Sequence, residues 1–443
     1  MGSTRLRTAA AVASVGLLAT VAACGGGGSG SGGGNEPLNV LVASNSQFPT
    51  EQQQWFKTTS EKFKAATGSE VKFETFATAN DELTKIQTSV VSGKGPDVYG
   101  LGTTFTPTAY STNAFVKLDD AAWQKLGGKD KFVPSSLGIS GPDDANQIGI
   151  PFVSRPFVMI YNKELLKKAG IDKPATTWDE LTQQAKTMTK GDERGLALAY
   201  KDNFDPWKLI WGMSTQAGNP IIDGSTVKID DPTVKKAYQT YFGWLTTDKV
   251  VDPAAVGWNN SQAMAAFGEG KTGYFLYSST LAGLTLDKSA VAGNYDYALM
   301  PTVPPGATSR PGDGVEAASI LSGDNLVVAD YSKHKDRAFE FVKMITDEEA
   351  QLEYYKLFGN LPTNAAAAQS LSSDPKLAVA AQALEKSKAT PFNGGWGDVQ
   401  LALTNVVVQT IPELSAGSVS DASLSGRLAD AQKAGQSAVD RAK

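Results

Sequence analysis

The segment Asn35–Lys443 contains no cysteine and no apolar run of membrane-spanning length, and these two features constrain its fold more than any others. A segment this long is too large for one comfortable hydrophobic core, so we expect it to divide into two lobes. Because the segment has no cysteine to form a disulfide bond, packing alone must hold both lobes together.

Short strand-like runs alternate with amphipathic helical patterns along this segment, which is typical of an α/β fold. The first elements are predicted as strands at 38–43, 70–76 and 97–101 and as helices at 51–67, closed by Gly68, and 81–91. A later helix is predicted at 335–346, where four apolar residues recur at helical spacing: Ala338, Phe341, Val342 and Ile345.

Two further helices carry N-terminal signals. Thr177 and Glu180 have the spacing of a capping box, which predicts a helix that continues through Met188. Asp231 is followed by Pro232, a combination that supplies an N-cap and a proline at the first helical position.

The start of the chain has the pattern of an export signal. Arg5 and Arg7 are the only charged residues before Cys24, and residues 8–23 are uncharged and rich in alanine, valine and leucine. As a helix this run would span about 24 Å, which is short of a hydrocarbon core of ~30 Å. We therefore expect residues 1–23 to be a signal peptide, with a plain membrane anchor as the alternative.

Val21-Ala22-Ala23-Cys24 resembles a bacterial lipobox, in which the cysteine thiol receives a diacylglycerol group. Residues 25–34 consist only of glycine and serine and form a flexible tether, so residues 24–36 are predicted to be a lipidated cysteine and its linker. The expected location is the outer face of the cytoplasmic membrane, with the lipid anchor at Cys24. The alternative is that Cys24 is a stray thiol in a leader that is cut away.

Charge and composition exclude several classes of function. The formal net charge of −5 becomes −7 without Arg5 and Arg7, and no basic block suggests a nucleic-acid partner. His334 is the only histidine, and we interpret it as a solvated residue at a helix start. Without a second histidine or a cysteine in the body, no zinc site, catalytic dyad or cofactor is expected. Paired carboxylates at Asp119-Asp120, Asp143-Asp144 and Glu348-Glu349 leave a secreted glycan hydrolase open as an alternative. These pairs lie beside turn or helix-start signals, where solvated caps are the ordinary explanation.

Six motifs follow one another along the chain. They are Gly93-Lys94-Gly95-Pro96-Asp97-Val98, Gly149-Ile150-Pro151, Ile160-Tyr161-Asn162-Lys163-Glu164-Leu165, Thr177-Trp178-Asp179-Glu180-Leu181, the Phe-x-x-Gly-Lys signature at 267–273 and the segment 330–364. In this order, and across roughly residues 38–439, the chain resembles extracellular solute-binding proteins of the maltose-binding type, the binding components of bacterial ABC sugar importers.

The resemblance implies an α/β, two-lobe periplasmic-binding-protein fold with a hinge and a central ligand cleft. The first lobe is expected at 37–152 and 322–366, and the second at 153–321 and 367–443. It also implies a monomer that is no enzyme, with two partners: a small-molecule solute, such as a sugar, and an ABC permease in the membrane.

Sugars need aromatic faces for their C–H surfaces and polar groups for their hydroxyls. By resemblance or by position we expect ligand contacts from twelve residues: Asn45, Gln47, Asp81, Thr103, Thr104, Arg155, Phe204, Trp207, Trp211, Trp258, Tyr277 and Trp396. For the aromatic residues core packing is the alternative, and for Asn45, Gln47 and Asp81 it is a role in caps or turns.

Arg155 departs from the pattern, because it falls where maltose-binding relatives place a carboxylate that binds sugar hydroxyls. Its guanidinium could bind an anionic solute such as a glycerophosphodiester, donate to sugar hydroxyls, or pair with an acidic side chain between the lobes. We expect a neutral sugar, because aromatic residues outnumber cationic ones at the matched positions.

Overall fold

The computed structural model describes residues 36–202 and 204–443, except for the side chains of Ser279 and Thr280. The predicted signal peptide, the lipidation at Cys24 and the glycine-serine tether lie outside the described residues, apart from residue 36.

The chain alternates strands and helices along its described length. The strands are β1 (Leu38–Ala43), β2 (Val71–Phe76), β3 (Val98–Gly102), β4 (Ile150–Ser154), β5 (Phe157–Asn162), β6 (Arg194–Ala197), β7 (Ile222–Asp223), β8 (Thr226–Val227), β9 (Thr272–Ser278), β10 (Tyr295–Ala298), β11 (Ser319–Ile320), β12 (Gly323–Val328), β13 (Leu361–Pro362) and β14 (Ser387–Lys388). The helices are α1 (Pro49–Thr67), α2 (Ala79–Ser92), α3 (Thr106–Ser111), α4 (Asp120–Lys125), α5 (Lys163–Lys168), α6 (Trp178–Met188), α7 (Pro206–Gln216), α8 (Pro232–Thr246), α9 (Asn260–Gly268), α10 (Ser279–Leu286), α11 (Lys335–Ile345), α12 (Glu348–Phe358), α13 (Ala365–Ser370), α14 (Pro375–Glu385), α15 (Trp396–Ser415) and α16 (Asp421–Arg441).

The first lobe is built on a six-stranded sheet with the order β13-β4-β12-β3-β1-β2. Strand β1 runs parallel to β2 and β3, whereas β12 runs antiparallel to β3 and β4. The carboxyl ends of β1, β3 and β4 and the start of β12 therefore meet at one edge of the sheet, which is where open α/β sheets bind ligands.

The second lobe is built on a four-stranded sheet with the order β10-β5-β9-β6. Strand β9 is parallel to β6 and antiparallel to β5, so the ends of β6 and β9 lie beside the start of β5. Helices α15 and α16 pack in the main hydrophobic core of this lobe through residues such as Leu403 and Leu428.

The two lobes are joined where β4 continues into β5 and where β11, which pairs with β14, continues into β12. These crossing segments are hydrogen-bonded to each other, since the backbone amide of Arg155 donates to the carbonyl oxygen of Ser322 at 2.8 Å. A Cβ atom at Gly323 would lie 1.9 Å from the carbonyl oxygen of Val153, so glycine allows this close approach. The two-lobe α/β fold is confirmed, and the lobe boundaries given above stay a prediction.

Local signals in the sequence account for many elements. Helix α11 buries the four apolar residues that predicted it, and Asp231 caps α8 by accepting from the Thr233 amide at 2.8 Å. Gly68 closes α1 in the left-handed conformation, with φ of 74°.

The capping box predicted at the start of α6 is only half formed. Thr177 Oγ1 accepts a hydrogen bond from the Glu180 amide at 3.1 Å. The Glu180 carboxylate, however, accepts from the Thr176 amide at 2.7 Å instead of from that of Thr177. A complete capping box begins α9 instead, between Asn259 and Gln262.

The prediction of a solvated His334 was wrong. Its side chain is only 14% exposed, and Nε2 lies 3.4 Å from a carboxylate oxygen of Glu36. The start of α11 thereby contacts the beginning of the described chain.

Within residues 36–202 and 204–443, none of the helices combines the length and the apolar character needed to cross a bilayer. That same part of the chain holds no group of three or more His, Cys, Asp or Glu side chains placed to bind a metal ion.

Candidate functional site

A cavity of about 240 Å³ lies between the facing edges of the two sheets. The first lobe contributes the residues that follow β1 and β3, and the second lobe contributes the end of β9, the start of α7 and the start of α9. Eight of the twelve predicted contact residues line it: Asn45, Gln47, Thr103, Thr104, Arg155, Phe204, Trp207 and Tyr277.

Asn45 and Gln47 occupy the turn that follows β1. The Asn45 side-chain oxygen accepts hydrogen bonds from the amides of Gln47 and Phe48, at 3.0 and 2.9 Å, so it stabilises the turn. Gln47 Nε2 is buried at the cavity and has no hydrogen-bond partner within the described part of the chain. Of the two residues, Gln47 is therefore the one with a donor free to bind a solute.

On helix α2 the cavity is lined by Glu82, whereas the predicted Asp81 is exposed and lies outside the cavity. Glu82 is 2% exposed and accepts a hydrogen bond from the Gly102 amide at 2.7 Å. Burial raises the pKa of the Glu82 carboxyl well above its ordinary value. The helical spacing of Ala79, Glu82, Leu83 and Ile86 would have identified Glu82 as a residue of the inward face.

The predicted aromatic residues divide between the cavity wall and the core behind it. Trp207 and Tyr277 line the cavity, although they are only 3% and 6% exposed. Trp396 is fully buried and packs edge-on against Trp207, with ring centroids 5.8 Å apart. Trp211 is buried in the same core, so core packing describes both Trp211 and Trp396.

Trp258 also lies outside the cavity lining, in partly buried contact with the core of the second lobe. The residues that follow it, Asn259 and Asn260, line the cavity instead.

Arg155 forms a paired interaction with Asp324 at the hinge. Nη1 donates to Oδ2 at 2.8 Å and Nη2 donates to Oδ1. Burial alone would lower the pKa of Arg155, but the Asp324 charge outweighs it and raises that pKa. Three roles were considered for Arg155: binding an anionic solute, donating to sugar hydroxyls, and pairing with an acidic side chain. The structure contains the third, an ion pair between the crossing segment and Asp324 at the start of β12.

Lys208 is the other cation among the described residues that line the cavity. Its Nζ lies 2.6 Å from Asp205 Oδ1, and Asn260 Nδ2 donates to Asp205 Oδ2 at 2.7 Å. The neighbouring Asp202 carboxyl has its pKa raised to about 6, by burial and by the charge of Asp205. Both cations thus already have carboxylate partners.

Four lining side chains hold a buried polar atom that has no hydrogen-bond partner among the residues that the structure describes. These atoms are Gln47 Nε2, Ser278 Oγ, Asn360 Oδ1 and Gln400 Oε1. A buried polar group without a partner costs about 1–3 kcal/mol, so a ligand that supplies hydrogen bonds here gains affinity. Ser278, Asn360 and Gln400 were not among the predicted contacts.

Residues 48–352 match the bacterial extracellular solute-binding protein family. The chain belongs to this family. The relatives are binding proteins, so the protein is a solute-binding protein and not an enzyme.

The diacetylchitobiose binding protein DasA of Streptomyces coelicolor is 27% identical over 400 residues, covering 88% of this chain and 90% of its own. The sn-glycerol-3-phosphate-binding periplasmic protein UgpB of Yersinia enterocolitica is 27% identical over 253 residues, or 53% of each chain. An ABC transporter solute-binding protein of Thermotoga lettingae, solved with α-D-tagatose, has a TM-score of 0.74 at 17% identity. It covers 91% of this chain and 100% of its own, and at this identity it supports the shared fold alone.

Proposed function

We propose that this protein binds a neutral sugar or oligosaccharide in the cavity between its lobes and delivers it to the permease of an ABC importer. The observation that carries the proposal is that the cations of the cavity, Arg155 and Lys208, are both paired with carboxylates of the protein. An anionic solute would have to displace Asp324 or Asp205 from these pairs, leaving a buried carboxylate uncompensated.

The remaining polar groups suit a neutral polyhydroxyl solute. Amide and hydroxyl groups both donate and accept, as sugar hydroxyls do. An atom at the cavity that no other described residue pairs with is found on each of Gln47, Ser278, Asn360 and Gln400. Trp207, with Phe204 and Tyr277, supplies aromatic surface for the C–H faces of a sugar ring.

The relatives support the same class of ligand. DasA is named for a disaccharide of acetylated amino sugars and covers most of this chain, whereas UgpB is named for a phosphorylated polyol and matches only about half. The phosphorylated class is the second candidate.

The test is a thermal-shift panel of diacetylchitobiose, maltose, tagatose and sn-glycerol-3-phosphate. A ligand at 1,000 times its Kd adds about 4 kcal/mol to the free energy of unfolding, which raises Tm by several degrees. We expect a shift with at least one neutral sugar and none with the phosphate. A shift with sn-glycerol-3-phosphate alone would contradict the proposal and favour the second candidate.

We propose further that Cys24 carries a lipid that anchors the protein to the outer face of the cytoplasmic membrane. The apolar run before Cys24 and the glycine-serine segment after it support this location. Glu36, two residues after that segment, contacts the start of α11: its carbonyl oxygen accepts a hydrogen bond from Arg337 Nη1 at 3.0 Å.

A further inference from the structure

Glu82 and Asp202 are the two carboxylates among the described lining residues that have no cation as a hydrogen-bond partner. Asp324 is paired with Arg155, and Asp205 with Lys208. Asp202 accepts hydrogen bonds from the backbone amides of Phe204 and Asp205, at 2.8 and 3.0 Å. Glu82 is more deeply buried than these three aspartates, at 2% exposure, and its hydrogen-bond partner among the described residues is the backbone amide of Gly102.

The groups around Glu82 would stabilise an ionised carboxylate only weakly. The charged groups that face it are Asp324 from β12, Arg155 from the crossing segment and Lys208 from α7, and each of these is engaged in a pair of its own. Helix α15 packs against α2, where Gly397 lies beside Leu83, and it brings the uncharged Gln400 to the cavity. An isolated carboxylate in such a site is strongly disfavoured relative to the neutral acid.

We propose that Glu82 is uncharged at neutral pH and donates a hydrogen bond from its carboxyl group to an oxygen atom of the bound solute. One oxygen of Glu82 accepts from the Gly102 amide, and the protonated oxygen serves as the donor. The acceptor is a hydroxyl, ring or acetamido oxygen of a neutral sugar, and to this extent the inference rests on the proposed function.

The charge state of Glu82 is tested without any ligand. The variant Glu82→Gln keeps the shape and the acceptor for the Gly102 amide but cannot ionise. Folding raises the pKa of Glu82, so the protonated side chain stabilises the folded protein. This stabilisation is lost as pH rises from the pKa of an unfolded glutamate toward the pKa of Glu82 in the folded protein. Relative to Glu82→Gln, the wild-type unfolding constant should therefore rise by about tenfold per pH unit over this window.

Urea unfolding of both proteins at several values between about pH 5 and pH 8 measures this difference. Ionisation of Asp202 affects both proteins alike and cancels. Unfolding constants that stay in a fixed ratio across the range would overturn the proposal, because Glu82 would then titrate as an ordinary carboxyl.

The donor role is tested by calorimetry at neutral pH with the sugar that gives the largest thermal shift in the panel. Glu82→Gln, whose amide can donate in the same place, should bind within about threefold of wild type. Glu82→Leu removes the donor and should weaken binding by about 5- to 150-fold.

A Glu82→Gln protein that binds as poorly as Glu82→Leu would mean that the ionised carboxylate is required. Wild-type affinity in Glu82→Leu would mean that Glu82 only supports the Gly102 turn. Either result overturns the donor role. A panel without any sugar binding would count against the proposed function, and the unfolding experiment would still decide the charge state.

Discussion

Replacing Arg155 by methionine tests the ion pair that joins the crossing segments at the hinge. Arg155 donates two hydrogen bonds to Asp324, and the two side chains are 25% and 16% exposed. Removing one partner of a fully buried pair costs about 3–5 kcal/mol, because the remaining charge is left uncompensated. Since both side chains retain contact with water, we expect Arg155→Met to lower the free energy of unfolding by about 2–3 kcal/mol.

The assay is a double-mutant cycle measured by urea unfolding, with circular dichroism and tryptophan fluorescence as independent probes. Asp324→Asn should destabilise on its own, and the Arg155→Met/Asp324→Asn double variant should recover at least about 1 kcal/mol of the summed losses. The exposed pair Lys62–Glu353, with side chains 46% and 45% exposed, is the control. Lys62→Met should cost less than about 1 kcal/mol. If the two hinge substitutions add within about 0.5 kcal/mol, the pair does not couple the segments and the reasoning fails.

Three further predictions follow from the contacts described above. Trp207→Ala should weaken sugar binding about tenfold or more in calorimetry, because Trp207 lines the cavity. Trp396→Phe should leave the affinity nearly unchanged, because Trp396 packs behind the cavity wall; equal losses of affinity in the two variants would contradict these separate roles. Cys24→Ala should release the protein from membranes in cell fractionation, and full retention of the cleaved variant would exclude the lipid anchor. Because the pKa of Asp202 is raised to about 6, the wild-type protein loses stability as pH rises from the ordinary carboxyl value through about 6. Asp202→Asn cannot ionise, so its free energy of unfolding should increase by about 1–3 kcal/mol relative to wild type between about pH 4 and pH 7, as measured by urea unfolding. A constant difference between the two proteins would refute that assignment.

Elements specified by local patterns were predictable from the sequence. Strand β1 has the predicted bounds, and α1 and α11 differ from their predictions by only one or two residues. Periodicity, caps and terminal glycines act over a few residues, so a single sequence contains the information that sets them. The half-formed capping box at Thr177 shows the limit of this information, because the competing donor is the adjacent amide of Thr176.

The cavity was predictable only in part, because it depends on contacts between distant segments. Gln400 carries no local motif, and Asn360 lies in a family motif that does not itself indicate a ligand contact. Gln400 reaches the cavity from α15, and Asn360 reaches it from the residue before β13. The glycines around Trp396 suggested an exposed indole ring on which a sugar could stack, yet the fold buries this ring completely. The prediction of Asp81 instead of Glu82 was an avoidable error. The spacing of the buried residues of α2 indicates which face of the helix points inward, and Glu82 lies on that face.

Calorimetric titration at two ionic strengths distinguishes a neutral sugar from an anionic solute as the ligand of the cavity. Diacetylchitobiose, or the neutral sugar that gives the largest thermal shift, is compared with sn-glycerol-3-phosphate at low and high salt. A cavity whose cations are already paired should bind the neutral sugar with a Kd that hardly changes between the two salt concentrations, and should show no heat with the phosphate. Tight binding of the phosphate that weakens as salt is added would contradict the account, because it would require a free cation in the cavity.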